Sequence, residues 1–210
     1  KTLVGHGDWV NSATFSPDGA LVVTASDDKT AMLWNTTTGE RFTTLEGHGD
    51  LVNSAAFSPD GALVVTASKD GTAMLWNTTT GERFKTLVGH GCAVNSAAFS
   101  PDGALVVTAS KDGTAMLWNT TTGERFTTLE GHGDLVNSAA FSPDGALVVT
   151  ASDDKTAMLW NTTTGEPFKT LVGHGDWVNS ATFSPDGALV VTASADNTAR
   201  LWRTTTGEPF

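Results

Sequence analysis

Tyrosine is absent from the 210 residues, cysteine occurs once, at Cys92, and no run of 18 consecutive apolar residues exists. The missing run excludes a transmembrane helix. A lone thiol excludes an intrachain disulfide framework. Basic residues are scarce, 12 Lys and Arg against 23 Asp and Glu, and the resulting charge of −11 argues against nucleic acid and anionic membranes as partners. Lys1–His6 carry no apolar core of signal-peptide length. With the single thiol, this sets the expectation of a reducing, cytoplasmic setting. Apolar residues make up 39% of the chain, and the length suffices for one sizeable core or two small ones.

What the chain has in abundance is itself. Blocks of 42 residues beginning at Lys1, Thr43, Lys85, Thr127 and Lys169 align without a gap, giving repeats 1–42, 43–84, 85–126, 127–168 and 169–210. Only ten of the 42 offsets differ among the five copies. Repetition on this scale decides the architecture before any secondary structure is considered.

Each block reads as short extended segments. Ala104–Ala109 and Thr114–Trp118 are β-prone and apolar on both alternating sets, so both faces of their sheet should be buried. Ser100-Pro101-Asp102-Gly103 places Pro and Gly as a type I turn and its exit require. Ser110–Thr114 and Thr120–Glu124 supply two more turns. Three tight turns join four antiparallel strands per block, expected near residues 92–100, 104–110, 114–119 and 125–130. No segment shows a helical period. The expected fold is therefore all-β: a β-propeller of four-stranded antiparallel blades, which buries both faces of each sheet and protects its edges.

The motifs Gly-His, Phe-Ser-Pro-Asp-Gly, Ser-x-Asp-x-Thr and Leu-Trp, present in every block, make the chain resemble the WD-repeat β-propellers over its whole length. Arrays this uniform are similar to those appended to large bacterial signalling proteins. The Asp that usually follows Trp in that family is Asn35, Asn77, Asn119 and Asn161 here, and Arg203 in the last copy. The resemblance implies a structural tetrad in each block, with the indole N–H on Ser, Ser on His and His on Asp. Its members are His6/Ser26/Asp28/Trp34, His48/Ser68/Asp70/Trp76, His90/Ser110/Asp112/Trp118, His132/Ser152/Asp154/Trp160 and His174/Ser194/Asp196/Trp202.

A Ser, a His and an Asp in one block also invite a hydrolase reading. That chemistry needs an exposed nucleophile and oxyanion donors, no Gly-x-Ser-x-Gly elbow occurs, and five identical catalytic sets in one chain would be odd. No catalytic residue is assigned. The histidines stand 42 residues apart, without a C-x-x-C or H-x-x-x-H pair, so no metal site is expected. Gly5-His6-Gly7 lacks the lysine and helix of a phosphate loop, and no cofactor is expected. The Asn-Thr-Thr sequons read as hairpin turns, and Cys92 as a surface substitution for Asp.

The variable offsets point to recognition. Half of them fall in the loop entering the first strand and in the second-to-third turn, which share one face on the family's topology. Trp9, Leu51, Ala93, Leu135 and Trp177 form one set, and Asp27, Lys69, Lys111, Asp153 and Ala195 another. Exposed aromatics are typical recognition anchors. The leading expectation is a non-catalytic platform for a protein or peptide on this face. The alternative is a structural or engineered propeller fragment without a ligand of its own. Finally, joining Gly207–Phe210 to Lys1–His6 reproduces the internal text of residues 165–174, so the outermost strand reads as split between 207–210 and 1–5. Five blades would have to turn about 72° each, where about seven is usual in this family. A ring completed by a second chain, as a homodimer, is the expectation.

Overall fold

The computed structural model describes all residues from Lys1 to Phe210, and its regular structure is strands and turns, without a helix. The first sheet runs β1 (Val10–Phe15), β2 (Leu21–Ser26), β3 (Thr30–Asn35) and β4 (Arg41–Glu46), each antiparallel to the last. The second contains β5 (Val52–Phe57), β6 (Leu63–Ser68), β7 (Thr72–Asn77) and β8 (Arg83–Val88). The third contains β9 (Val94–Phe99), β10 (Leu105–Ser110), β11 (Ala115–Asn119) and β12 (Arg125–Leu129). The fourth contains β13 (Val136–Phe141), β14 (Leu147–Ser152), β15 (Thr156–Asn161) and β16 (Pro167–Val172). The fifth has three strands, β17 (Val178–Phe183), β18 (Leu189–Ser194) and β19 (Ala199–Arg203), plus a single bridge from Trp202 to Pro209. These are propeller blades in an open ring.

The turns explain why the strands stop where they do. In the third sheet Gly103 takes φ 73°, a left-handed value natural to glycine, and its N–H closes on Ser100 C=O at 2.9 Å. Asp102 holds the same turn by accepting from Ser100 Oγ and Ala104 N–H. At the third turn Asn119 Oδ1 accepts from the N–H groups of Thr121 and Thr122, an Asx turn that asks only for a short side-chain acceptor. Asn therefore serves in place of Asp. Arg203 has no such acceptor and donates instead to Pro209 C=O.

Successive blades pack face on face. Val107, Ala109, Ala115, Leu117 and Leu129 of the third sheet meet Val136, Ala139, Val148, Met158 and Trp160 of the fourth. The other successive pairs repeat the same set, except that the fourth and fifth sheets lack the methionine, where Arg200 stands. The first strand of each blade is innermost, β1 against β5, β5 against β9, and on to β17. A bulge in each of these strands leaves one residue out of the ladder, and that residue is Asn11 and its equivalents. Freed by the bulge, Asn95 donates to Val136 C=O at 2.9 Å, and Asn11, Asn53 and Asn137 reach the next blade in the same way.

Leu117 is fully buried between the third and fourth sheets. Leu117→Ala should cost about 2–5 kcal/mol in chemical denaturation. Val88→Ala, at a side chain 70% exposed, should stay within about 0.5 kcal/mol.

Candidate functional site

The Gly-His loop that enters each blade brings its imidazole against the tryptophan of the same blade. Close approach requires the glycine: a Cβ on Gly89 would lie 3.0 Å from the Trp118 indole. The five His–Trp pairs have edge-on geometry at 6.1–6.3 Å between ring centres. His48 Nδ1 donates to Asp70 at 2.8 Å, and the other four copies match it within 0.1 Å.

The serine expected in the tetrad is not part of it. Trp34 Nε1 donates to Thr24 Oγ1 at 2.8 Å, and His6 Nε2 lies 2.6 Å from the same oxygen. In the second blade the expected bond from Trp76 to Ser68 is likewise replaced: Trp76 Nε1 donates to Thr66 Oγ1 at 2.8 Å. Trp118, Trp160 and Trp202 donate in the same way to Thr108, Thr150 and Thr192, and the imidazoles of these blades meet the same threonines. The reason is register. Trp34 stands opposite Val22 and Trp76 opposite Val64, so their diagonal neighbours on that face are Thr24 and Thr66. Ser26 lies four residues from Val22, about 13 Å along the strand and beyond the reach of an indole.

The rest of each indole is core. Trp76 is buried against Val23, Ala25 and Leu33 of the first sheet, so it joins two blades and presents nothing to a ligand. Ser26, Ser68, Ser110, Ser152 and Ser194 instead fasten backbone: Ser68 Oγ donates to Asp50 C=O and accepts from Asp70 N–H. Counting rungs back from the Ser110–Thr114 turn would have found the threonine.

The proton path follows from these partners. An ionised Asp112 accepts from His90 Nδ1–H, leaving Nε2 of a neutral imidazole as an acceptor. Thr108 O–H donates to Nε2 and accepts from the Trp118 indole. Thr114 Oγ1 and Gly91 N–H hold the carboxylate from its other sides. No buried side-chain polar atom is left without a partner. The Thr108 hydroxyl is fully buried with both capacities used, so it is closed to a substrate. No three of His, Cys, Asp and Glu converge in the arrangement a metal ion would need.

Burial pushes the imidazoles of His48, His90 and His132 below their usual value near 6.5, against the pull of the neighbouring carboxylates. Burial also pushes Asp70, Asp112 and Asp154 upward. Their hydrogen bonds from threonine, backbone and imidazole outweigh it and hold them below 3.8.

The loop and turn that carry the variable residues meet at one end of the sheets, where Asp27 N–H donates to Trp9 C=O and Lys69 N–H to Leu51 C=O. Trp9 is 79% and Trp177 52% exposed, and Leu51 and Leu135 are half-buried between them. Lys69, Lys111 and Ala195 are exposed, whereas Asp27 and Asp153 are half-buried and accept from Asn11 and Asn137 at 2.6 Å. Ala93 departs from expectation. It is buried, because a methyl group at this offset does not reach the surface that indole and isobutyl groups reach. A depression of about 340 Å³ lies beside it, lined by Lys69, Asp70, Gly71, His90, Cys92 and Lys111.

Thr108→Val should strand the Trp118 indole and His90 Nε2, at roughly 1–3 kcal/mol for each group. Thr108→Ser should keep most of that, and Ser110→Ala, which frees only part-buried backbone partners at Cys92 and Asp112, should cost less than Thr108→Val. Calorimetry of the three variants checks the order. The sign of the pH dependence follows from the lowered values. Between pH 6.5 and the folded-state values, unfolded histidines bind protons that folded ones refuse, so stability is full above 6.5 and falls as pH drops. The depressed aspartates add a second loss below about pH 3.8. Melting temperature against pH should show both stages.

Comparison with known proteins agrees with this geometry. A stretch of 34 residues is 53% identical to the Lissencephaly-1 homolog 1 of Paramecium tetraurelia, covering 16% of this chain and 8% of that protein. A stretch of 41 residues is 44% identical to the nuclear distribution protein nudF of Aspergillus niger, covering 20% and 9%. The nuclear distribution protein PAC1 of Tuber melanosporum matches over 37 residues at 46%, covering 18% and 8%. Each match is about one repeat long, under a tenth of the relative's length, and together they support a WD-like propeller. A model of the TolB β-propeller domain matches residues 2–207. With four-stranded blades, an open ring and nearly the whole length matched, this chain belongs to the TolB β-propeller domain family.

Proposed function

We propose that the chain is a non-catalytic, cytoplasmic protein-interaction scaffold that binds a protein or peptide at the variable end of its blades. One observation carries this reading: half of the offsets that differ between blades fall where the entering loops and second turns meet, while the Ser-Pro-Asp-Gly turns at the other end do not vary. A surface that alters from blade to blade can read an asymmetric partner, and an invariant one cannot. Trp9 and Trp177 supply large exposed aromatic area. The net charge of −11 selects a basic or neutral partner. The histidine relay holds the fold and has no substrate to act on. The scaffold also assembles, its open ring being completed by a second copy as a homodimer.

The alternative, a structural unit without a ligand, is favoured by one fact: both exposed tryptophans sit in the end blades, at the opening of the ring. A peptide array of basic and neutral sequences separates the two. Trp9→Ala/Trp177→Ala should weaken peptide capture by about thirtyfold or more, as loss of hot-spot residues does, and should leave the melt nearly unchanged. Equal capture by the double variant moves the site elsewhere, and an array on which nothing binds the wild-type chain favours the structural unit.

A further inference from the structure

The two end sheets carry the two halves of an interface that the chain builds four times within itself. On the fifth sheet the open face presents Val191 and Leu201, 36% and 44% exposed, with Ala193 and Ala199 beside them. Their equivalents in the fourth sheet are at most 1% exposed. On the first sheet Val10 is 52% exposed, whereas the equivalent Val52, Val94, Val136 and Val178 are fully buried. The polar links are open as well. Between the fourth and fifth sheets Asn137 donates to Val178 C=O at 3.0 Å and Ser138 Oγ accepts Ala181 N–H at 3.2 Å. Asn179 and Ser180 stand at the matching place on the far side of the fifth sheet, exposed.

Residues 1–26 are identical in sequence to residues 169–194. The head of the chain therefore offers the same docking surface that the fourth sheet already grips in the fifth. Lys1 lies beside Gly39 as Lys85 lies beside Gly123, so the N-terminal segment runs where the preceding blade's outer strand runs in every later pair. It belongs to no sheet, and Leu3 remains partly exposed where Leu45, Leu87, Leu129 and Leu171 are at most 1% exposed. At the other end the fourth strand of the last sheet has only its first rung, Trp202 with Pro209.

Resting on the assembly reading above, we propose that a second copy of this chain docks its first sheet on the fifth sheet of the first, head to tail. Leu3 of the second copy fills the hollow between Val191, Ala199 and Leu201, and the segment Lys1–Val4 continues the outer strand that Pro209 begins. Asn179 donates to the second copy's Val10 C=O, and Ser180 accepts its Ala13 N–H. The contact joins two different surfaces, so each copy keeps one free end until a closing contact forms. It also places Trp177 and the second copy's Trp9 on neighbouring blades, so that the aromatic part of the binding face is completed only by assembly.

The test blocks one end at a time. Val10→Arg spoils the head and Leu201→Arg the tail, both at side chains already part-exposed in the single chain. Light scattering after size exclusion at micromolar concentration should give the wild-type chain twice the 21.8 kDa of one copy. Each variant alone should run at the single mass, and an equimolar mixture of the two should return to the doubled mass through its one intact junction. Asn179→Ala/Ser180→Ala, which removes no buried group from the single chain, should weaken the wild-type assembly about fivefold or more. A wild-type chain at the single mass overturns assembly altogether. Doubled mass in each blocked variant alone leaves assembly standing and overturns the head-to-tail contact.

Discussion

An indole N–H placed between two apolar sheets must find an acceptor where water does not reach, and the way this chain meets that demand organises each blade. The acceptor is a threonine hydroxyl one rung along the neighbouring strand. The hydroxyl can accept only if its own proton has somewhere to go, which is the imidazole Nε2. That nitrogen is bare only because Nδ1 is protonated toward a carboxylate, and the carboxylate stays ionised because threonine and backbone donors surround it. The imidazole arrives on the loop that crosses from one blade to the next. The same chain of bonds therefore ties that loop to the second and third strands of the blade it enters.

Much of this was legible in the residues, and the reasons differ from element to element. Ser100–Gly103 and Asn119–Gly123 contain the Pro, Gly and Asn that such turns need, and the strands between them could hardly lie elsewhere. The relay was legible as a set of residue types but not in its membership. Ser110 and Thr108 lie on one face of the same strand, both with hydroxyls, and only the pairing of Val106 with Trp118 decides between them. Composition cannot supply that choice, since it depends on where the hairpin begins to count. Ala93 shows a different limit, because an offset at least partly exposed in four copies can be buried in the fifth when the side chain shrinks to a methyl.

The two ends of each sheet have been put to different uses. At the Ser-Pro-Asp-Gly end every copy keeps the same turn, with an aspartate folded back on its own serine and backbone. At the other end the second turn needs a left-handed residue, and it is met by Gly71 and Gly113 but also by Lys29, Lys155 and Asn197. Strain of roughly 1–2 kcal/mol for each of the non-glycine residues is accepted there. Half of the offsets that vary lie at this end, where the backbone tolerates the change.

Near-identity of the blade faces has a kinetic side. A face that fits the next blade fits every blade, so recognition alone does not tell a folding sheet which neighbour is its own. Only tether length separates the correct pairing from a skipped one, and doubling the 42-residue separation costs only about 0.6 kcal/mol of closure entropy. Order around the ring must then come from sequence in time, each blade capturing the one beside it before a more distant copy arrives. The uniformity of the blade faces leaves the chain open to out-of-order docking while it folds.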